Sequence, residues 1–195
     1  MNEPTDRTDV RRGDRAVHDE TWLKEMMHTA ATGVLATVAD GQPFLNANLF
    51  AYDESRHAVY LHTARRGKTR DTIEGHDRVA FTVMELGRML PADTALEFSS
   101  EYASVALFGR GTVVADPDEA RDALQLLLDK YFADLTPGTD YRATTDDELK
   151  RTSVFRVDIE EWVGKRKRVG PEFPGARRYS APSMVETAPV AGDTT

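Results

Sequence analysis

Within a dozen residues this chain sets an imidazole, His62, beside two hydroxyls, Thr63 and Thr69, three fixed cations, Arg65, Arg66 and Lys68, and a glycine, Gly67. Together they can bind phosphate. Gly67 allows close approach of the backbone, the threonines supply hydroxyl hydrogen bonds, and the cations neutralise a dianion through charge-assisted bonds. The spacing is neither that of a P-loop nor that of a Gly-x-Gly-x-x-Gly turn, so nucleoside triphosphates and classical dinucleotide binding gain no support. A second basic run, Lys165-Arg166-Lys167-Arg168, could also receive a phosphorylated ligand, and solvated charge is the competing reading of both runs. His62 has an ordinary pKa near about 6.5, suited to proton transfer at neutral pH, though a lone strand histidine is also a common structural residue. His57 has the wrong parity to share its strand face, and His18, His28 and His76 are scattered, so no metal site is expected. Asn46 and Asn48 share one strand face with Phe44, Phe50 and Tyr52. Asparagine is depleted in strands, so this side is either a ligand face for a polar heterocycle or a solvent-facing side.

These groups need elements to hold them. Asp19 caps a helix whose Trp22, Leu23, Met26, Met27 and Ala30 recur on one face, and Gly33 is expected to end it. Strands are expected over 34–38 and 44–52, joined by the hairpin pair Asp40-Gly41, and over 58–63 after a turn at 53–56. Further strands are expected at 79–84, 104–114 and 153–162. A helix between the last two has Asp116 as cap, Pro117 at its first position, Glu119 where a capping-box acid belongs, and Ala120, Leu124, Leu127 and Tyr131 as its buried stripe. Thr145-Asp146-Asp147-Glu148 opens a shorter helix ending near Arg151. Hairpin-length connections exclude βαβ crossovers and favour a mainly β architecture, a small six-stranded barrel with accessory helices.

The chain has 195 residues, no cysteine and a net charge of −8. That length suits one domain with tails: a mobile arm over 1–18, the domain over 19–168, and a Pro-, Ala-, Ser- and Thr-rich disordered or surface-lying tail over 169–195. Acidity argues against nucleic acid as a partner. No apolar run approaches the about 20 residues of a membrane helix, and the charged N-terminus has no signal-like core, so the cytoplasm is expected. Without cysteine there is no thiolate nucleophile or iron–sulfur ligation, and redox chemistry would need a bound cofactor. Gly-x-Ser-x-Gly is absent and Ser99-Ser100 lacks a local base, which leaves hydrolysis weakly supported.

The succession of Gly33 to Val38, Asp40 to Phe44, Tyr60 to Ala64, Gly67-Lys68 and Glu101 to Gly109 resembles the split-barrel flavoproteins related to pyridoxamine-phosphate oxidase. Leu90-Pro91, Leu96-Glu97, Tyr102-x-Ser104-Val105, Asp147 to Val154 and Trp162-x-Gly164-Lys165 make it look most like the Nim-type nitroimidazole reductases within that group. The resemblance implies a six-stranded Greek-key split barrel that dimerises and holds FMN, with FAD as the alternative, in a cleft at the subunit interface. By that similarity Asn46, Ala47, Asn48 and Leu49 lie along the isoalloxazine edge. Thr63, Arg65, Arg66, Lys68 and Thr69 lie near the phosphate, and His62 beside the flavin and substrate. Tyr102, Ser104, Trp162 and Lys165 approach from the neighbouring chain or the last strand. The Arg-rich C-terminal segment that pyridoxamine-phosphate oxidases use for their substrate is replaced by Pro171-Glu172-Phe173-Pro174, which argues against B6 oxidation. Phe98-Ser99-Ser100-Glu101 stands where many relatives carry a histidine-containing stretch. The expected activity is two-electron hydride transfer from reduced flavin to a nitroimidazole-like or other small acceptor, the electron donor being open and NAD(P)H a candidate. A flavin- or heme-binding module without turnover, and a flavin reductase serving a partner, are the competing functions.

Overall fold

The computed structural model describes residues 6–180, so parts of the expected arm and tail, 1–5 and 181–195, lie outside the described residues. Among these residues nine strands form one antiparallel sheet: β1 (Ala16–Val17), β2 (Gly33–Ala39), β3 (Gln42–Asn48), β4 (Ala51–Asp53), β5 (Ala58–Ala64), β6 (Arg78–Leu90), β7 (Ser99–Val113), β8 (Thr152–Lys167) and β9 (Arg177–Arg178). Among the described residues four α-helices accompany them: α1 (Glu20–Thr29), α2 (Lys68–Gly75), α3 (Pro117–Tyr131) and α4 (Asp146–Leu149). The strand order is β3-β2-β6-β7-β8-β5-β4, with β1 added to β8 and β9 to β6, and the sheet does not close on itself. This is the split barrel with helices expected from the sequence.

The local signals explain most elements. Asp40 and Gly41 both adopt positive φ, 51° and 76°, as the two central residues of a tight hairpin turn require, and they fix the register that pairs Ala39 with Gln42 and Gly33 with Asn48. Asp19 accepts from the Trp22 N–H at 2.7 Å to start α1, and Asp116 does the same for α3 through the Asp118 N–H at 2.9 Å. Thr145 and Glu148 form the capping box of α4.

Other expectations are corrected. The strand expected over 44–52 is broken at Leu49-Phe50. There the Tyr131 hydroxyl accepts the Phe50 N–H at 3.0 Å and points its proton toward the carbonyls of Ala31 and Phe50, replacing ladder bonds with a side chain. Gly33 does not end α1, whose last bond runs from the Ala30 N–H to Met26; it opens β2. Glu119 does not cap α3. Its carboxylate instead takes the Tyr60 hydroxyl at 2.7 Å and Arg156 at 2.6 Å, so the acid at that position crosses to the sheet. β6 and β8 run on past their expected ends to Leu90 and Lys167, and β7 begins early, at Ser99, because each pairs along its length with a long neighbour. The base of the expected arm lies against β8, where Ala16 pairs with Lys165, and Arg178 of the expected tail pairs with Arg88.

The barrel interior holds Leu35, Phe50, Val59, Leu61, Phe81, Val83, Val105, Leu107, Phe155 and Val157, closed at one end by Leu23, Met26 and Met27 of α1. Phe50 and Phe81 meet edge to face at 5.0 Å. A second, smaller cluster of Ala58, Tyr60, Ala120, Ala123 and Val154 fastens α3 to the opposite face of β5. β5 is therefore covered on both sides up to Leu61. Beyond that point, at His62, the cover ends.

Candidate functional site

The place where the sheet fails to close is a cleft of about 350 Å³. Its walls are strands that do not pair with each other: Phe44, Asn46 and Asn48 of β3 on one side, His62, Thr63 and Ala64 of β5 on the other. Arg66, Gly67, Lys68 and Thr69, the turn into α2, form its floor. Alternation along β3 turns Phe44, Asn46 and Asn48 inward and leaves Leu45, Ala47 and Leu49 exposed. One bond spans the gap, from the Asn46 amide to the Thr69 hydroxyl at 2.8 Å, while the Asn48 amide donates to the Asn46 carbonyl at 3.3 Å.

The cationic turn is held by its backbone, which leaves its side chains for other work. The Arg65 N–H donates to the Arg151 carbonyl at 2.9 Å. Buried Ser153 donates to the Arg65 carbonyl at 3.1 Å and accepts from Arg70 at 3.0 Å, and Arg70 also pairs with Glu74 at 2.6 Å. Gly67 sits at φ 151°, and α2 begins there with no side-chain cap. Its first N–H groups are therefore without a side-chain acceptor, which is the electrostatic situation an anion relieves. Among the described residues Arg66 and Lys68 enter no salt bridge, and the Thr63 hydroxyl donates only to its neighbour's carbonyl.

His62 stands where three hollows meet. Besides the cleft it borders an apolar hollow of about 240 Å³ walled by Leu49, Leu124, Leu127, Leu128 and Tyr131, and a wider one of about 420 Å³ that includes Tyr141, Arg142 and Thr152. The residue is exposed along one edge, yet enough protein surrounds the imidazole that desolvation lowers its pKa below the usual histidine value. At neutral pH it is an uncharged ring with one donor and one acceptor. In the same region Arg142 grips Glu148 at 2.8 and 2.9 Å, which holds that carboxyl at about 2.

Of the residues singled out from the sequence, the fold brings together Asn46, Asn48, His62, Thr63, Arg66, Lys68 and Thr69 in one cleft. Leu49 joins His62 at the apolar hollow, while Ala47 faces outward. Arg65 contributes its backbone to the turn and does not line the cleft. Tyr102 lies at a different hollow and accepts a bond from Arg15 at 3.2 Å. Ser104 and Lys165 are cross-strand partners on the sheet. The Trp162 indole is engaged within its own chain, donating to Glu20 at 3.0 Å and meeting the His57 ring edge-on at 4.6 Å. Tyr60 shares the His62 face but is sealed under α3, where burial pushes its phenol up to about 12. Sequence reasoning missed α2, the α3 wall of the apolar hollow, and the Ser153–Arg70 brace. The leucines of α3 were legible only as a core stripe, and no local signal marks Ser153.

The family described as pyridoxamine 5'-phosphate oxidase matches residues 19–166. Among solved structures, the flavocytochrome Anf3 from Azotobacter vinelandii is similar at 24% identity and TM-score 0.74, over 100% of this chain and 95% of that one. The FAD and heme binding protein from Mycobacterium smegmatis is similar at 22% identity and TM-score 0.71, over 91% and 94%. A candidate 5-nitroimidazole antibiotic resistance protein from Bacteroides thetaiotaomicron is similar at 19% identity and TM-score 0.64, over 77% and 86%. No curated protein matches. At these identities the structures establish the shared fold. Among the described residues no helix is long and apolar enough to cross a membrane, and no cluster of potential metal ligands is found.

Proposed function

The chain belongs to the pyridoxamine 5'-phosphate oxidase family, and from that premise we propose that it is a cytoplasmic, flavin-dependent oxidoreductase acting on a small acceptor of the nitroimidazole kind. The observation that carries this reading is the split of the sheet, where two asparagines, a neutral imidazole and an uncapped cationic turn converge on one cleft. Arg66, Lys68, Thr63 and the first turn of α2 would hold the phosphate of FMN, with Asn46 and Asn48 presenting amides to the edge of its ring. The residues fit the group: the cations lack partners among the described residues and the helix start lacks a cap. When bound and reduced, the flavin would supply two electrons as hydride, with NAD(P)H as the candidate donor that recharges it.

The chain's own part is binding, orientation and proton supply. Ser153 and Arg70 fix the cationic turn. His62, uncharged at neutral pH, can donate a ring N–H hydrogen bond to an acceptor's oxygen, and its protonated form, populated at lower pH, can deliver a proton there. The apolar hollow on its far side excludes water and accommodates a small ring. Leu45 and Met84, both 66% exposed, lie on the outer sheet face with Leu86, Phe108 and Ser104, and we propose that a second copy covers this face. Tyr102, Ser104 and Lys165 would then reach the partner's cleft. Two of the similar structures also favour a second reading, a heme-binding module without turnover, because His62 borders an apolar hollow with Arg142 nearby.

The absorption spectrum of the purified protein tests the choice. Flavin bands that survive gel filtration, and fade in Arg66→Ala/Lys68→Ala, are the expected result. A Soret band lost in His62→Ala would favour the module, and a colourless protein that takes up no added FMN would overturn the flavin reading.

A further inference from the structure

Beyond Lys165, the second basic run, at the end of β8, is not used by the cleft. It borders a hollow of about 490 Å³ between the far ends of β6, β7 and β8 and the short β9. A bulge between Leu86 and Met89 turns Arg88 into this region. Its guanidinium grips Glu101 at 2.8 and 2.9 Å and donates to the carbonyls of Val169, Gly170 and Pro171. Arg88, together with the Val169 N–H, holds the Glu101 carboxyl at about 2, so that pair is closed and electrically neutral.

Three cations remain at the hollow: Lys167, Arg168 and Arg178. Among the described residues none of them enters a salt bridge, and Glu85 is the one other acid there. Lys167 reaches only the Ser99 hydroxyl, at 2.6 Å. In a chain of net charge −8 such a cluster repels itself, and an anion would relieve it. Two aromatic rings stand at the same hollow, Tyr102 and Tyr179, the latter 59% exposed. Clustered cations beside a ring free to stack are the two halves of nucleotide recognition, charge for the phosphates and a π-face for the base.

We propose that this hollow is a second ligand site, which binds the nucleoside diphosphate half of a nucleotide, phosphates on Lys167, Arg168 and Arg178 and base stacked on Tyr179. Two sources share that chemistry: a free nucleotide, or the distal half of a flavin dinucleotide whose ring lies in a cleft. The second source rests on the flavin reading above.

Calorimetric titration of ADP into the purified full chain tests the site. The wild type is expected to bind ADP below 1 mM, with affinity falling as salt rises. Arg168→Glu/Arg178→Glu should weaken ADP at least about 30-fold and Tyr179→Ala about 5-fold, with Tm and FMN affinity unchanged, since these side chains are exposed. ADP displaced by FAD but not by FMN, with the charge-reversed variant losing a preference for FAD over FMN, identifies the dinucleotide. ADP bound equally well to FAD-saturated protein identifies a free nucleotide. Absence of ADP binding at millimolar concentration, or an affinity indifferent to the charge reversal, would overturn the proposal. FMN binding is measured separately, so failure of the cleft reading leaves the ADP result standing and is recognised as such.

Discussion

Gly67 offers a perturbation that separates strain from crowding. Its φ of 151° and ψ of 167° lie in a region L residues rarely enter, yet a Cβ built there meets no atom within 4 Å. Gly67→Ala therefore adds backbone strain and no clash, at a cost of about 1–3 kcal/mol. The turn has little freedom to escape it. Upstream, Arg65 is tied to Arg151 and Ser153; downstream, the N–H groups of Arg70 and Asp71 both donate to the Gly67 carbonyl. If the turn keeps its shape, the FMN-free protein loses that 1–3 kcal/mol of stability and FMN affinity survives. If the turn relaxes, stability is kept but the Arg66 and Lys68 side chains move, and affinity falls about 5- to 150-fold, the same energy at about 1.4 kcal/mol per decade. Urea denaturation without FMN and fluorescence titration with FMN measure the two shares, and their sum should reach about 1–3 kcal/mol. Gly75→Ala, at the other end of α2 and also in open space, serves as control and should stabilise by about 0.5–1 kcal/mol. If Gly67→Ala changed neither quantity, the turn would not be the rigid anion cradle described above.

Arg66→Ala/Lys68→Ala removes two charge-assisted bonds of about 1.5–3 kcal/mol each, so FMN affinity should fall at least about 100-fold at low salt. The difference should narrow in high salt, where screening weakens the wild type; equal affinity in fluorescence titration would place the phosphate elsewhere. His62→Ala should lower turnover per bound flavin by about 10²–10⁴-fold with Tm and flavin content near wild type; loss of flavin and Tm with turnover per flavin intact would leave His62 a structural residue. Because burial lowers the His62 pKa in the folded state, the unfolded chain takes up this proton first as the pH falls. Its contribution to stability is therefore complete above about 6.5 and is lost below it. Because the imidazolium is the form that delivers a proton, the rate should fall as the pH rises through the lowered His62 pKa, below about 6.5, and His62→Ala should abolish that dependence in a kcat–pH series. Met84→Lys/Leu86→Lys, on the exposed outer face of β6, should give a monomer by light scattering without loss of helix or strand signal; an unchanged dimer mass would move the interface off this face.

The sequence by itself determined the elements whose causes are local. Asp40-Gly41 set a hairpin and with it the register that aims Asn46 and Asn48 to one side, and Asp19, Asp116 and Thr145 set helix starts that the structure reproduces within a residue. The cluster from His62 to Thr69 was legible too, because its residues are consecutive and need no fold to be near one another. What the sequence could not decide is which distant segments face each other. Four strands separate β3 from β5 in the sheet, and only the failure of the sheet to close sets Asn46 within 2.8 Å of Thr69. The Tyr131 hydroxyl that breaks the strand at Phe50, the Ser153 brace under the cationic turn and the Glu119 bridge to Tyr60 all join residues more than fifty positions apart. Their partners are chosen by the packing of α3 and β8 on β5. Periodicity records which face of an element is buried, and it carries no record of what buries it.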